Sequence, residues 1–188
     1  MLEVRFHGRG GQGTVIASKL LAIAVASEGR YVQAFPEFGV ERRGAPVTAF
    51  LRIDKHPIYE KYRIYEPEHL VVLDRTLLGS VDITSGLQSG GWIIINTPKS
   101  PGEILGMDDF RVATVDATAI ALKHALGSRT APIVNTAILG AVVRALGLCR
   151  LDSLLKAVKD EAPMKKEENV AAAAQSYESI RGVSHAAA

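Results

Sequence analysis

The chain has 188 residues, 47% of them hydrophobic and 22% charged, with a formal net charge of +2. That length and composition suit a single soluble domain over 1–188. The near-balanced charge, with Lys and Arg spread along the chain and no interleaved aromatics, excludes a dedicated nucleic-acid binder.

In chain order, Leu2–His7 alternates apolar and polar residues as a strand does, and Thr14–Ala24 reads as a helix that stops near Glu28-Gly29. Strands are expected at Tyr31–Phe35, Ala45–Ile53, Leu70–Asp74, Trp92–Asn96 and Phe110–Asp116, with a short helical stretch after Asp74. Asp74 and Asp116 stand at carboxyl ends of buried strands, where each is a helix N-cap or a ligand contact. The remainder is helical: 117–126, 135–146 with Asn135 or Thr136 as cap, 151–161 and 164–180, the last two forming a helical tail over about 151–188. Alternating strands and helices predict a three-layer α/β/α fold, with a mostly parallel, Rossmann-like sheet and helices on both faces.

Between the first strand and helix lies Gly8-Arg9-Gly10-Gly11-Gln12-Gly13, followed by Thr14. Glycines let the backbone approach a ligand closely, and the free amides of a helix N-terminus attract anions. The spacing fits G-x-G-x-x-G, yet no acid ends the second strand and no Lys-Ser/Thr pair follows the last glycine, so neither NAD nor ATP suits it. The alternative is that the glycines serve only tight strand-to-helix packing. A second cluster, Glu41-Arg42-Arg43-Gly44, lies in the loop after the second strand, where a ligand-facing position or a solvated charged turn is expected.

Catalytic groups are scarce. The five histidines are isolated, no G-x-S-x-G elbow occurs, and no metal-ligand spacing stands out. The one cysteine, Cys149, has apolar neighbours that suit a buried, inert thiol; one cysteine forms no internal disulfide and holds no four-thiolate iron–sulfur cluster. No apolar run reaches the roughly 18 residues of a membrane span, and the opening residues read as a strand rather than a signal peptide, so no membrane contact and a cytoplasmic location are expected.

Three motifs in order, Gly8–Gly13, Phe38-Gly39-Val40-Glu41-Arg42-Arg43-Gly44-Ala45-Pro46-Val47 and Asn135-Thr136-Ala137-Ile138-Leu139-Gly140-Ala141, together with Val71–Asp74 and Val115–Thr118, resemble the gamma subunit of the pyruvate/2-ketoisovalerate:ferredoxin oxidoreductases. The resemblance spans nearly the whole chain. It implies the fold of domain III of pyruvate:ferredoxin oxidoreductase and a cytoplasmic hetero-oligomer of anaerobic metabolism, with alpha, beta and delta partner subunits. That complex oxidatively decarboxylates a 2-oxoacid, reduces ferredoxin and forms an acyl-coenzyme A. Thiamine diphosphate, Mg and [4Fe-4S] clusters are implied in the partner subunits, and coenzyme A at this chain. The resemblance then gives Gly8, Arg9, Gly10, Gly11, Gln12, Gly13, Thr14, Arg42, Arg43 and Gly44 a role in holding coenzyme A phosphates. Glu41 belongs to the same cluster and with Arg42 could instead hold the alpha subunit.

Overall fold

The computed structural model describes residues 1–37 and 44–183. Its sheet is built from β1 (Leu2–Arg9), β2 (Tyr31–Pro36), β3 (Pro46–Asp54), β4 (His69–Val72), β5 (Trp92–Asn96) and β6 (Arg111–Val115), in the spatial order β2-β3-β1-β4-β5-β6. β1, β4, β5 and β6 run parallel, whereas β3 is antiparallel to both β1 and β2. The helices are α1 (Thr14–Ala26), α2 (Ala117–Lys123), α3 (Asn135–Leu146), α4 (Leu151–Glu161) and α5 (Lys166–Ser179).

Strand alternation sends successive side chains to opposite faces, and the two faces differ. Val4, Phe6, Leu51, Ile53, Val71, Ile94, Ala113 and Val115 share one buried core with residues of α1 to α5. Leu70, Val72, Ile93 and Ile95 face the other way and pack with Leu77, Ile83 and Leu87. The architecture is three-layered, as anticipated, but the expected helices on both faces need correction. Among the described residues the second face carries connections with two short 3-10 helices, Arg75–Gly79 and Pro101–Glu103. Those connections are rich in Gly and Pro, which interrupt an α-helix.

Three boundaries differ usefully from expectation. β1 does not end at His7: Gly8 pairs with Val47 and Arg9 with Pro46, so the partner strand carries β1 into the glycine motif. α2 stops at Lys123 rather than near Leu126. A small hairpin, β7 (Gly127–Ser128) with β8 (Ala131–Pro132), follows and feeds α3. Neither Asn135 nor Thr136 caps α3, because Val134 holds that position and no side chain caps it.

The tail returns to the body. α5 packs mainly on α3, and α4 packs on α1 and α5. Two polar contacts pin α5: Thr136 Oγ1 donates to Asn169 Oδ1 at 2.6 Å, and Ser176 Oγ accepts from the Ala141 amide at 3.2 Å. No helix among the described residues is long and apolar enough to cross a membrane.

Candidate functional site

The chain leaves β1 through α1 on the helical face, whereas it leaves β4 through Arg75–Gly79 on the other. Strand ends that diverge in this way open a crevice, the usual ligand position of an α/β sheet. The residues at the two ends are Arg9 and Asp74, whose charged groups approach to 3.5 Å. Gln12 ties them together: its Oε1 accepts from the Arg9 amide at 2.8 Å and its Nε2 donates to Asp74 Oδ2 at 2.7 Å. Asp74 also caps the following 3-10 turn by accepting from the Thr76 amide at 2.9 Å, so it is both the cap anticipated and part of the site. Burial alone would raise the Asp74 pKa; bonds from Thr76 and Gln12, with the charge of Arg9, outweigh it and hold the group below its ordinary value.

Gly44 joins the same cluster. The Gly10 amide donates to the Ala45 carbonyl at 2.9 Å, the Gly44 amide donates to the Gly10 carbonyl at 3.1 Å, and Arg9 Nη1 donates to the Gly44 carbonyl at 3.0 Å. Gly44 and Ala45 of the second motif therefore form one structural unit with the first. Glu41, Arg42 and Arg43 lie outside the described residues.

Within that unit the residues divide by role. Gly8 is a packing glycine, since an added Cβ would collide with Thr14 Oγ1. That hydroxyl is buried, has no hydrogen-bond partner among the described residues and lies against Gly8. Arg9 is engaged by Thr76 as well as Gly44 and Asp74. Gly11 and Gly13, at φ 96° and 79°, make the left-handed bends that bring the chain into α1. Their amides donate to no other described residue, and no side chain caps α1. The first-turn amides of a helix also lack internal acceptors. Several backbone donors thus point out of one turn, which can hold an anion and by itself perform no proton transfer.

The crevice continues past this turn as a cavity of about 420 Å³ lined by Gln12, Asp74, Asn96, Thr97, Asp116 and Thr118 among others. Asn96 stiffens its floor by donating to the Leu73 carbonyl at 2.8 Å and to Thr118 Oγ1 at 3.0 Å. Asp116 accepts from the Ala119 amide at 2.9 Å and caps α2.

Sequence reasoning left Asn135 out of the site. The structure sets it against Gly13, where an added Cβ would lie 2.6 Å from Asn135 Nδ2. The available signal was a polar residue opening an otherwise apolar helix. The third motif therefore meets the first in space.

His7 stands just behind the turn, 7% exposed, and its Nε2 accepts from Arg5 Nε at 2.9 Å. Burial, then the Arg5 charge, pushes its pKa down to about 3. The unfolded chain binds this proton near pH 6.5, so acid favours unfolding. The contribution is complete above pH 6.5 and is lost progressively as pH falls toward 3. Melting temperatures measured from pH 7 to 5 should fall less for His7→Gln, whose amide oxygen can accept from Arg5, than for the parent; equal slopes would refute this account. Cys149 is half-buried, and burial followed by Glu28 pushes its thiol up to about 12, too high for a nucleophile at neutral pH. Among the described residues no group of three or more His, Cys, Asp or Glu side chains could hold a metal ion.

The chain belongs to a known lineage. The sequence model of the family described as pyruvate ferredoxin/flavodoxin oxidoreductase matches residues 3–179. The chain is 55% identical to the pyruvate/ketoisovalerate oxidoreductases common subunit gamma of Pyrococcus furiosus, over 95% of this chain and 96% of that protein. It is 51% identical to pyruvate synthase subunit PorC of Methanothermobacter thermautotrophicus, over 96% of each. The crystal structure of pyruvate oxidoreductase subunit PORC from Thermotoga maritima superposes with a TM-score of 0.79 at 35% identity, covering 96% of this chain and 97% of that one. The chain accordingly belongs to the pyruvate ferredoxin/flavodoxin oxidoreductase family, as a gamma-type (PorC) member.

Proposed function

We propose that the chain, as one gamma-type domain, serves a 2-oxoacid:ferredoxin oxidoreductase that converts pyruvate or a branched-chain 2-oxoacid to acyl-coenzyme A and CO2, and that it holds the phosphates of coenzyme A at the mouth of α1. The carrying observation is the set of unpartnered amides around Gly11 and Gly13 at the β1/β4 crevice. Coenzyme A fits these donors, because its phosphates are anionic and the glycines leave the backbone open to them. Arg9, Gln12 and Asp74 frame the turn, and Thr14 contributes its amide. Arg42 and Arg43, next to Gly44 in sequence, supply guanidinium forks. Alpha, beta and delta subunits carry thiamine diphosphate, Mg and the [4Fe-4S] clusters in this reading, and ferredoxin takes the electrons. The single cysteine of this chain accords with that division. Coenzyme A, when bound, supplies the thiol that receives the acyl group, and this chain contributes by orientation rather than proton transfer.

A second reading, a subunit that only supports assembly, draws on the internal engagement of Arg9 and Gln12 and on exposed tyrosines at 59, 62 and 65, a residue type enriched at interfaces. One pair of variants separates the readings. Space beside Gly11 is open, and Asn and Asp tolerate positive φ better than other side chains. Gly11→Asp adds a negative charge to the cradle, and Gly11→Asn is its neutral control. In the purified complex Gly11→Asp should raise the KM for coenzyme A about tenfold or more above Gly11→Asn, by like-charge repulsion, with the KM for the 2-oxoacid unchanged. Equal coenzyme A constants for the two variants would favour the assembly reading.

A further inference from the structure

We infer that Asn135 closes the anion cradle from the α3 side, donating its Nδ2 hydrogens to a phosphate oxygen of the ligand held at α1. This deepens, and rests on, the coenzyme A reading. Asn135 is 6% exposed. Its Oδ1 accepts from the Thr136 amide at 2.8 Å, which identifies the other end of the side chain as the donor. That donor has no hydrogen-bond partner among the described residues and, unlike Thr14 Oγ1, is not sealed from solvent, so it is open to a ligand. Nor does capping explain it, since Val134 occupies the cap position of α3.

The placement points to a ligand. Nδ2 sits in the space a Cβ of Gly13 would fill, so the N-termini of α1 and α3 converge on this amide. The unpartnered amides of Gly11 and Gly13 belong to the same turn. Asn135 also borders a groove of about 410 Å³ lined by Ile16, Leu20, Ile133 and Met164 together with the charged Glu161 and Lys165. A phosphate at α1 would meet backbone donors on one side and the Asn135 amide on the other. Asn135 is a binding residue here and takes no part in bond making.

The test exploits two effects of opposite sign. Asn135→Asp keeps the shape and places a negative charge where two helix N-termini favour it, so the melting temperature should hold or rise. The same charge repels a phosphate. In the assembled oxidoreductase, KM for coenzyme A should rise about fivefold to tenfold for Asn135→Ala, and further for Asn135→Asp, through loss of a charge-assisted hydrogen bond and then repulsion. Asn135→Ser, which keeps a short donor, should fall between the parent and Asn135→Ala, and the KM for the 2-oxoacid should stay level in all three. Inorganic pyrophosphate should compete with coenzyme A in the parent and do so less well in Asn135→Asp. An unchanged coenzyme A constant in Asn135→Asp, or a rise matched by a lower melting temperature, overturns the inference. If Gly11→Asp still raises that constant, only the part given to Asn135 falls. If Gly11→Asp also matches its neutral control, the coenzyme A reading falls with it.

Discussion

Replacing Arg52 by alanine should destabilise the chain by about 3–5 kcal/mol, the range for removing one partner of a buried charged network. Arg52 is fully buried on the face of the sheet opposite the α-helices. Nε donates to Glu3 Oε1 at 2.6 Å, Nη1 to Gln33 Oε1 at 3.0 Å and Nη2 to the Tyr62 carbonyl at 2.8 Å. The guanidinium is also stacked 5.3 Å from the Phe35 ring centre and 4.8 Å from that of Tyr62. One side chain therefore ties β1, β2 and β3 to the irregular 57–66 segment. For a chain of this size the loss corresponds to a melting temperature lower by about 6–20 °C. Arg52→Lys should fall between, because a single ammonium cannot reproduce the planar fork. The 57–66 segment should become more sensitive to limited proteolysis in the alanine variant. A shift below about 1 kcal/mol would mean that the network is dispensable, as surface ion pairs are.

Arg52 also shows where sequence reading stops. It sits in Ala49-Phe50-Leu51-Arg52-Ile53, and nothing in that run announces a buried cation, because Glu3 and Gln33 reach it only through the antiparallel pairing of β3 with β1 and β2, and Tyr62 only through the irregular segment that folds back on it. Elements with strong local signals were legible nearly to the residue. β5 is a run of Trp and Ile bounded by Gly91 and Thr97-Pro98, and α3 and α4 end at residues that break an apolar period. Elements that depend on a partner were less so: β1 runs on through Gly8 and Arg9 because β3 pairs with it there. The 127–132 hairpin has strands of two residues, too short for any periodicity, and Gly127 is packed against the Ala131 carbonyl.

The site divides in the same way. Strand, glycine turn and helix in succession suggest an anion cradle, and the Gly11 and Gly13 amides, which donate to no described residue, are what the coenzyme A proposal builds on. The long-range duties of Arg9 and Gln12 could not be read, since Asp74, Thr76 and Gly44 lie 30 or more positions from the turn. Asn135 stands about 120 positions away from Gly13, and a pattern of one chain carries no sign of that contact. The motifs carried the family resemblance as separate strings. In the folded chain, Gly10 bonds Gly44 and Gly13 abuts Asn135.

That convergence depends on how closely α5 lets α3 approach, and Gly140→Ala should show it. An added Cβ at Gly140 would fall on the Ala173 carbonyl oxygen and within 2.8 Å of the Tyr177 amide nitrogen. Both are backbone atoms of α5, so no rotamer change relieves the clash. Overpacking of a core commonly costs about 1–3 kcal/mol, and here whole helices must separate, so a loss near or above about 3 kcal/mol is expected. The polar pins at Asn169 and Ser176 would stretch as α5 moves. If α3 moved instead, Asn135 would press on Gly13, where room is already lacking. Gly147→Ala provides the contrast: Gly147 is left-handed at φ 61° with open space around it, so its replacement should cost only about 1 kcal/mol through backbone strain. Denaturant melts of both variants decide the matter. A Gly140→Ala loss no larger than that of Gly147→Ala would show that α3 and α5 are not held at this distance. A larger loss accompanied by weaker coenzyme A binding in the surviving complex would tie the helical tail to the glycine turn through α3.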